Sequence, residues 1–219
     1  MENKISIFST KKISHSLASD FFSVDCVDFI EIKPMATNQK IVSNHFIFTS
    51  KNAVKQAFAQ YDFKEIKKPS FYCVGEKTAQ LLQKKGFHPV FVEQSAEELA
   101  KKIVLINQKE FTFFCGNIHL EILPNILKSN YITLQKIVLY ETIQKPIKIE
   151  KLYDAYIFYS PSGVDSFFTL NTISQKSMVF AIGQTTAKRL SAKINNKIIV
   201  PSASKIDEIL AAIKAHYNL

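Results

Sequence analysis

The chain is poor in the residues that build the commonest nucleotide and metal sites. It has five glycines in 219 residues. Neither GxGxxG nor GxxxxGKS/T occurs, so no glycine-rich loop is ready to cradle a nucleotide. Tryptophan is absent. Cysteine is limited to Cys26, Cys73 and Cys115, an odd and widely spaced set without metal-ligand spacing. Cys73 and Cys115 stand in apolar strand patterns, so buried, reduced thiols are expected, which suits a reducing compartment. No apolar run approaches the roughly 20 residues of a membrane helix. The opening MENKISIF lacks the charged-then-apolar pattern of a secretory signal. A cytoplasmic protein without a membrane partner is expected. Arginine occurs once, as Arg189, so lysine carries the positive charge.

That charge is large. With 28 Lys+Arg against 19 Asp+Glu the net charge is +9. A polyanionic partner would suit it. From composition alone, surface lysine that serves solubility is the simpler account. The lysines are scattered, and no helix-turn-helix, RNA-binding aromatic motif or zinc-finger spacing is visible. A nucleic-acid partner is therefore not expected. His15, His45, His88, His119 and His216 show no ligand spacing either.

What is present is a repeated strand-to-helix unit. YIFYSPSGVDSFF (Tyr156–Phe168) and VFAIGQTTAKRL (Val179–Leu190) are each an apolar run that ends in hydroxyl or glycine residues before a helical pattern. A buried parallel strand delivers its turn to a helix start in this way. The free N–H groups of such a start favour an anion. HFIFTSKNAVKQAF (His45–Phe58) and FYCVGEKTAQLL (Phe71–Leu82) repeat the pattern, and VFVEQSAEELAKKI (Val90–Ile103) matches IIVPSASKIDEILAAI (Ile198–Ile213). The offsets are 110 from Ser50 to Ser160, 108 from Gly75 to Gly183 and 108 from Val92 to Val200. Three matches in one order predict two similar α/β domains, each a parallel sheet flanked by helices.

Other elements complete the plan. Ile5–Phe8 predicts a strand, 14–22 a helix, Cys26–Ile32 a strand, and 38–43 a short helix. Phe111–Phe114 predicts a strand, followed by a helix from Ile118 that Pro124 shortens or kinks. Ile132–Thr142 predicts a long extended segment. The strand at Phe111–Phe114 would serve the first copy as Ile5–Phe8 serves the second. One discontinuous domain, 1–34 plus 143–219, would then hold an inserted domain, 35–142. Two extended crossings near 32–35 and 138–143 would form a two-stranded hinge, and the turns at the strand carboxyl ends would line one cleft.

In this order the segments FIFTSKNAV (Phe46–Val54), YCVGEKTA (Tyr72–Ala79), FFCGNIHLEILPNIL (Phe113–Leu127), VLYET (Val138–Thr142), FYSPSGVDSF (Phe158–Phe167) and AIGQTTAKRL (Ala181–Leu190) resemble the uroporphyrinogen-III synthase family. The resemblance covers nearly the whole chain. It implies two α/β domains on a two-stranded hinge, a monomer, and no metal or organic cofactor. The implied substrate is hydroxymethylbilane, a linear tetrapyrrole with eight carboxylates. The implied reaction closes the ring, inverts the last pyrrole and releases water.

The resemblance also assigns residues. Tyr140 in VLYET is the implied hydrogen-bond donor to the departing hydroxyl. Ser50, Lys51, Asn52, Thr78, Gly116, Asn117, Ser160, Ser162, Gly163, Thr185 and Thr186 match the turns that hold carboxylates, largely through main-chain N–H groups. A helix N-cap accounts equally well for each hydroxyl among them. Many members carry arginine after the first strand; here Ser9-Thr10-Lys11-Lys12 stands there, and Lys11 would supply the charge without a bidentate clamp. The alternative is a two-lobed module that binds a small polyanion without catalysis, since fold analogy alone does not separate the two.

Overall fold

The structure, a computed structural model, describes residues 4–13, 20–201 and 206–218. In chain order it runs β1 (Ile5–Ser9), β2 (Phe22–Cys26), β3 (Ile30–Pro34), β4 (His45–Phe48), α1 (Lys51–Gln60), β5 (Ser70–Val74), α2 (Glu76–Lys84), β6 (Phe91–Glu93), α3 (Ala96–Val104), β7 (Glu110–Gly116), α4 (Ile122–Ser129) and β8 (Thr133–Gln144). There follow β9 (Ala155–Phe158), α5 (Pro161–Phe167), β10 (Met178–Ala181), α6 (Gln184–Ser191), β11 (Ile198–Ile199) and α7 (Ile206–Tyr217). The chain divides into two compact units, one made of residues up to Glu31 together with Ile143 onward, the other of Ile32–Thr142. Among the described residues no helix is long and apolar enough to cross a membrane.

The Ile32–Thr142 unit holds a sheet in the order β3-β8-β7-β4-β5-β6, and the pairs β8-β7, β7-β4, β4-β5 and β5-β6 are parallel. Side chains alternate between its faces. Phe46, Phe48 and Phe114 go to one face with Phe63 and Phe71, while Ile47, Phe113 and Cys115 go to the other with Leu99, Leu123 and Leu127. Burial on both faces is why these strands read as unbroken apolar runs. Met35 N–H donates to Leu139 O, and Lys145 N–H to Phe29 O, so β3 and β8 run antiparallel.

The other unit has the all-parallel order β11-β10-β9-β1-β2. Phe8, Tyr156, Phe158 and Val179 pack on one face; Ile7, Ala155, Ile157 and Phe180 pack on the other. β1 lies beside β9 as β7 lies beside β4, which is the arrangement expected of the two copies.

Three local expectations are corrected, and a fourth is largely untested. The helix over 14–22 falls mostly outside the described residues, and Phe22 opens β2 instead. FSVDC alternates, sending Phe22 and Val24 into one core, so the strand ends at Cys26 where it was expected to begin; Ile30–Pro34 is a separate strand in the other sheet. The segment 38–43 is not helical. Side chains take its backbone groups: Thr37 Oγ1 accepts from Gln39 N–H (3.2 Å), Tyr61 O–H donates to Gln39 O (2.9 Å), and Gln135 bonds Val42 N–H and Lys40 O. The helix after β7 starts at Ile122, not Ile118, which puts Pro124 in its first turn, where a missing N–H costs nothing.

Burial gives the fold an alkaline limit. The thiols of Cys73 and Cys115 are pushed up from 9.0 to about 12, first by burial. Burial also raises the phenols of Tyr72, Tyr140 and Tyr156 above 10.0. Each group therefore holds its proton longer when folded than unfolded. Its contribution is complete below the unfolded value and is lost as pH rises toward the folded one. The urea midpoint is expected to hold steady up to about pH 8 and to fall between about pH 9 and 12. A midpoint unchanged at pH 10 would contradict this.

Candidate active site

The site is built where β4 and β7 end, beside the middle of β8. β7 and β8 pair in register up to Cys115 opposite Val138, but Gly116 lies opposite Tyr140. The extra residue, Leu139, makes a bulge that re-aims the next side chain. Tyr140 then lies over Gly116. A Cβ at Gly116 would sit 2.4 Å from Tyr140 Cε2 and 2.6 Å from Cζ. Glycine is needed here for space, since its φ is not in the left-handed region.

The phenol is fixed at its far end too. Tyr140 OH lies 2.9 Å from Ser50 Oγ. Ser50 is the N-cap of α1, and its Oγ accepts from Ala53 N–H (3.1 Å). Asn117 closes the other side: its N–H donates to Tyr140 O (3.0 Å), and its Oδ1 accepts from Ile118 N–H and Thr142 N–H (2.8 Å each). Tyr140 is 6% exposed. Burial raises its pKa, the Ser50 bond opposes the rise, and the neighbouring Cys115 adds to it. At neutral pH the group is a protonated donor. The Cys115 thiol, pushed up to about 12, is no nucleophile.

His119 falls within the helix expected from Ile118. It lies instead in the turn before α4. Its Nδ1 is 2.9 Å from Gly116 O, and its Nε2 is 2.9 Å from Glu121 Oε1, which also meets Lys136 Nζ at 3.0 Å. The ring stands edge-on to Phe113 at 5.7 Å. It braces the backbone under the Tyr140 ring. Its place three residues after Gly116 was the only local signal of this.

Ser50, Gly116 and Asn117 are thus brought together around Tyr140. In the same unit Lys51 is the exposed first residue of α1, Asn52 is half-buried, and Thr78 is buried in the first turn of α2 after Gly75 (φ 83°). The remaining residues belong to the other unit. Lys11 is exposed after β1, with its carbonyl held by Ser9 O–H (2.6 Å). Ser160 caps α5 by accepting from Gly163 N–H (3.1 Å), and Ser162 Oγ lies 3.3 Å from Ser160 Oγ. At the start of α6 Thr185 is exposed and Thr186 buried. No side chain caps α6. Arg189 pairs with Asp165 (2.6 Å), joining α6 to α5. All these turns follow the carboxyl ends of strands, where open α/β sheets bind ligands.

These features define a chain of two parallel α/β units, with a buried, protonated phenol at the strand ends of one. Residues 11–211 match the family model described as uroporphyrinogen-III synthase HemD, and the chain belongs to that family. The family acts on hydroxymethylbilane in tetrapyrrole (heme) biosynthesis. Among curated proteins none matches the sequence. Among solved structures, uroporphyrinogen-III synthetase from Helicobacter pylori is similar at 20% identity and a TM-score of 0.72, covering 98% of this chain and 100% of that one. A mutant uroporphyrinogen III synthase from Thermus thermophilus is similar at 15% identity and a TM-score of 0.68, covering 98% and 99%. At such identities the likeness is one of fold.

Proposed function

We propose that this chain is a lyase that cyclises hydroxymethylbilane with inversion of the last pyrrole and loss of water, with Tyr140 as the acid. The observation that carries the assignment is the Tyr140 phenol, buried, kept protonated, seated on Gly116 and bonded to Ser50. The terminal C–O bond breaks as a pyrrole pushes electrons out; the phenol passes its proton to the departing hydroxyl, which leaves as water, and the proton released by the pyrrole N–H as the azafulvene forms restores the phenol. The electron-deficient azafulvene is then attacked by the substituted carbon of the final ring. The resulting spiro intermediate fragments and recloses as the inverted isomer.

Since the pyrroles drive the loss of water, holding the substrate in the attacking conformation is the larger task. We assign it to the turns. Main-chain N–H groups beside Lys51, Asn52, Ser160, Ser162 and Thr185, with Lys11 as a charge, would hold the carboxylates; the N–H groups of Thr78, Asn117, Gly163 and Thr186 are engaged within the protein by Gly75 O, Tyr140 O, Ser160 Oγ and Gly183 O. A net charge of +9 supports an octacarboxylate ligand. The strands β3 and β8, where the unit boundaries fall, are proposed as the hinge of a cytoplasmic monomer.

The deciding experiment is incubation with fresh hydroxymethylbilane and separation of the oxidised products by isomer. Mostly type III product is expected. Type I alone, at the spontaneous rate, from folded protein would overturn the assignment and favour the non-catalytic module. Tyr140→Phe keeps the ring on Gly116 and removes the donor. Its kcat is expected to fall about 100-fold, the low end for a positioned acid, with the urea midpoint nearly unchanged. A wild-type rate would remove Tyr140 from the chemistry.

A further inference from the structure

We infer that Ser50 does not hold a substrate carboxylate but acts through Tyr140, giving its hydroxyl proton to the phenol oxygen so that the phenol's own proton faces the substrate. The inference rests on Tyr140 being the acid.

A serine hydroxyl has one proton to give and two lone pairs to offer. One lone pair of Ser50 Oγ is taken by the cap bond from Ala53 N–H at 3.1 Å. The Tyr140 oxygen, 2.9 Å away, is either the acceptor of the Ser50 proton or the donor to its second lone pair. In the second case the phenol spends its proton inside the protein and offers a departing hydroxyl only lone pairs, which do not help it leave. In the first case the phenol accepts one bond and keeps its donor free. Only the first direction suits an acid.

The surroundings keep the two oxygens in place. Gly116 leaves no room for the ring to drop, since even a methyl there would meet it at 2.4 Å. Asn117 ties the backbone on both sides of Tyr140, through Tyr140 O and Thr142 N–H. Ser50 is fixed by its role as the helix cap. The cap therefore serves as the phenol's proton donor as well as a stabiliser of α1. Ser50 is a positioning residue.

A double-mutant cycle separates these roles. Ser50→Ala is expected to lower kcat about fivefold to tenfold, the worth of one hydrogen bond, and to lower the urea midpoint through the lost cap. In the Tyr140→Phe background the same change should still lower the midpoint but leave kcat where Tyr140→Phe put it. Ser50→Thr, which keeps a hydroxyl and a cap, should recover most of the rate. Ser50→Asp also caps a helix, but its carboxylate only accepts; it should take the phenol's proton and lower kcat nearly as far as Tyr140→Phe does. Rate losses that multiply in the double mutant would overturn the proposal, because Ser50 would then touch the substrate on its own. A Ser50→Asp enzyme with wild-type kcat would overturn it too. If Tyr140→Phe alone ran at the wild-type rate, the acid assignment would fall first and this inference with it.

Discussion

Gly116→Ala is expected to cost about 1–3 kcal/mol, the usual range for overpacking a filled core, and to lower kcat to about the level of Tyr140→Phe. The added methyl would lie 2.4 and 2.6 Å from two ring carbons of Tyr140. Neither partner yields easily. The ring is 6% exposed and belongs to the aromatic core cluster, and its backbone is bonded to Asn117. Gly116 in turn is held in β7 and through its carbonyl to His119. The clash is relieved by displacing the ring from its seat, which strains the 2.9 Å bond to Ser50. The clashing carbons exist in phenylalanine as well, so the stability loss should persist in Gly116→Ala/Tyr140→Phe while the rate falls no further. Urea denaturation and the type III rate on the four proteins check both. A Gly116→Ala enzyme with wild-type midpoint and rate would show that the ring has room to move.

Much of this was readable in the sequence, and the reason is local. A strand buried on both faces, ending in a residue that caps the next helix, writes its whole unit into about fifteen consecutive letters. That is why the two copies, and the place of β1 beside β9, could be anticipated from FIFTS, FYCVG, FYSPS and FAIGQ. Ser50 and Ser160 as caps were legible on the same ground. The contact of Tyr140 with Gly116 was not. It depends on a one-residue slip between two strands, Cys115 opposite Val138 and then Gly116 opposite Tyr140, and nothing in either strand's own pattern announces it. The irregular 35–43 segment was hidden for a related reason. Its backbone is satisfied by side chains far along the chain, Tyr61 and Gln135, so a helical spacing of letters carried no information there.

Phe114→Ala is expected to cost about 3–5 kcal/mol, as for other buried phenylalanines. Phe114 is fully buried. It stacks on Phe48 at 5.2 Å and meets Tyr61, Phe63 and Phe46 at 5.4, 5.8 and 6.0 Å. Those neighbours are buried or half-buried rings on β4, at the end of α1 and in the turn that follows it, packed against one another, so most of the cavity would remain. Domains of this size are stable by only about 5–15 kcal/mol in total, so the loss is a large fraction. The effect should reach the site. Strand side chains alternate, so Phe114 and Gly116 share a face of β7, and Phe48 lies two residues before Ser50. Phe48, Phe114 and Tyr140 sit in one core cluster. The aromatic layer is therefore the floor on which the phenol stands, and removing this ring should loosen Tyr140 as well as the fold. The urea midpoint should fall sharply. The buried thiols of Cys73 and Cys115 should react sooner with a thiol reagent, with Cys26 in the other unit as an internal reference. A loss under about 1 kcal/mol, below any measured range for such a truncation, with unchanged thiol reactivity would mean that the surrounding rings do close the gap.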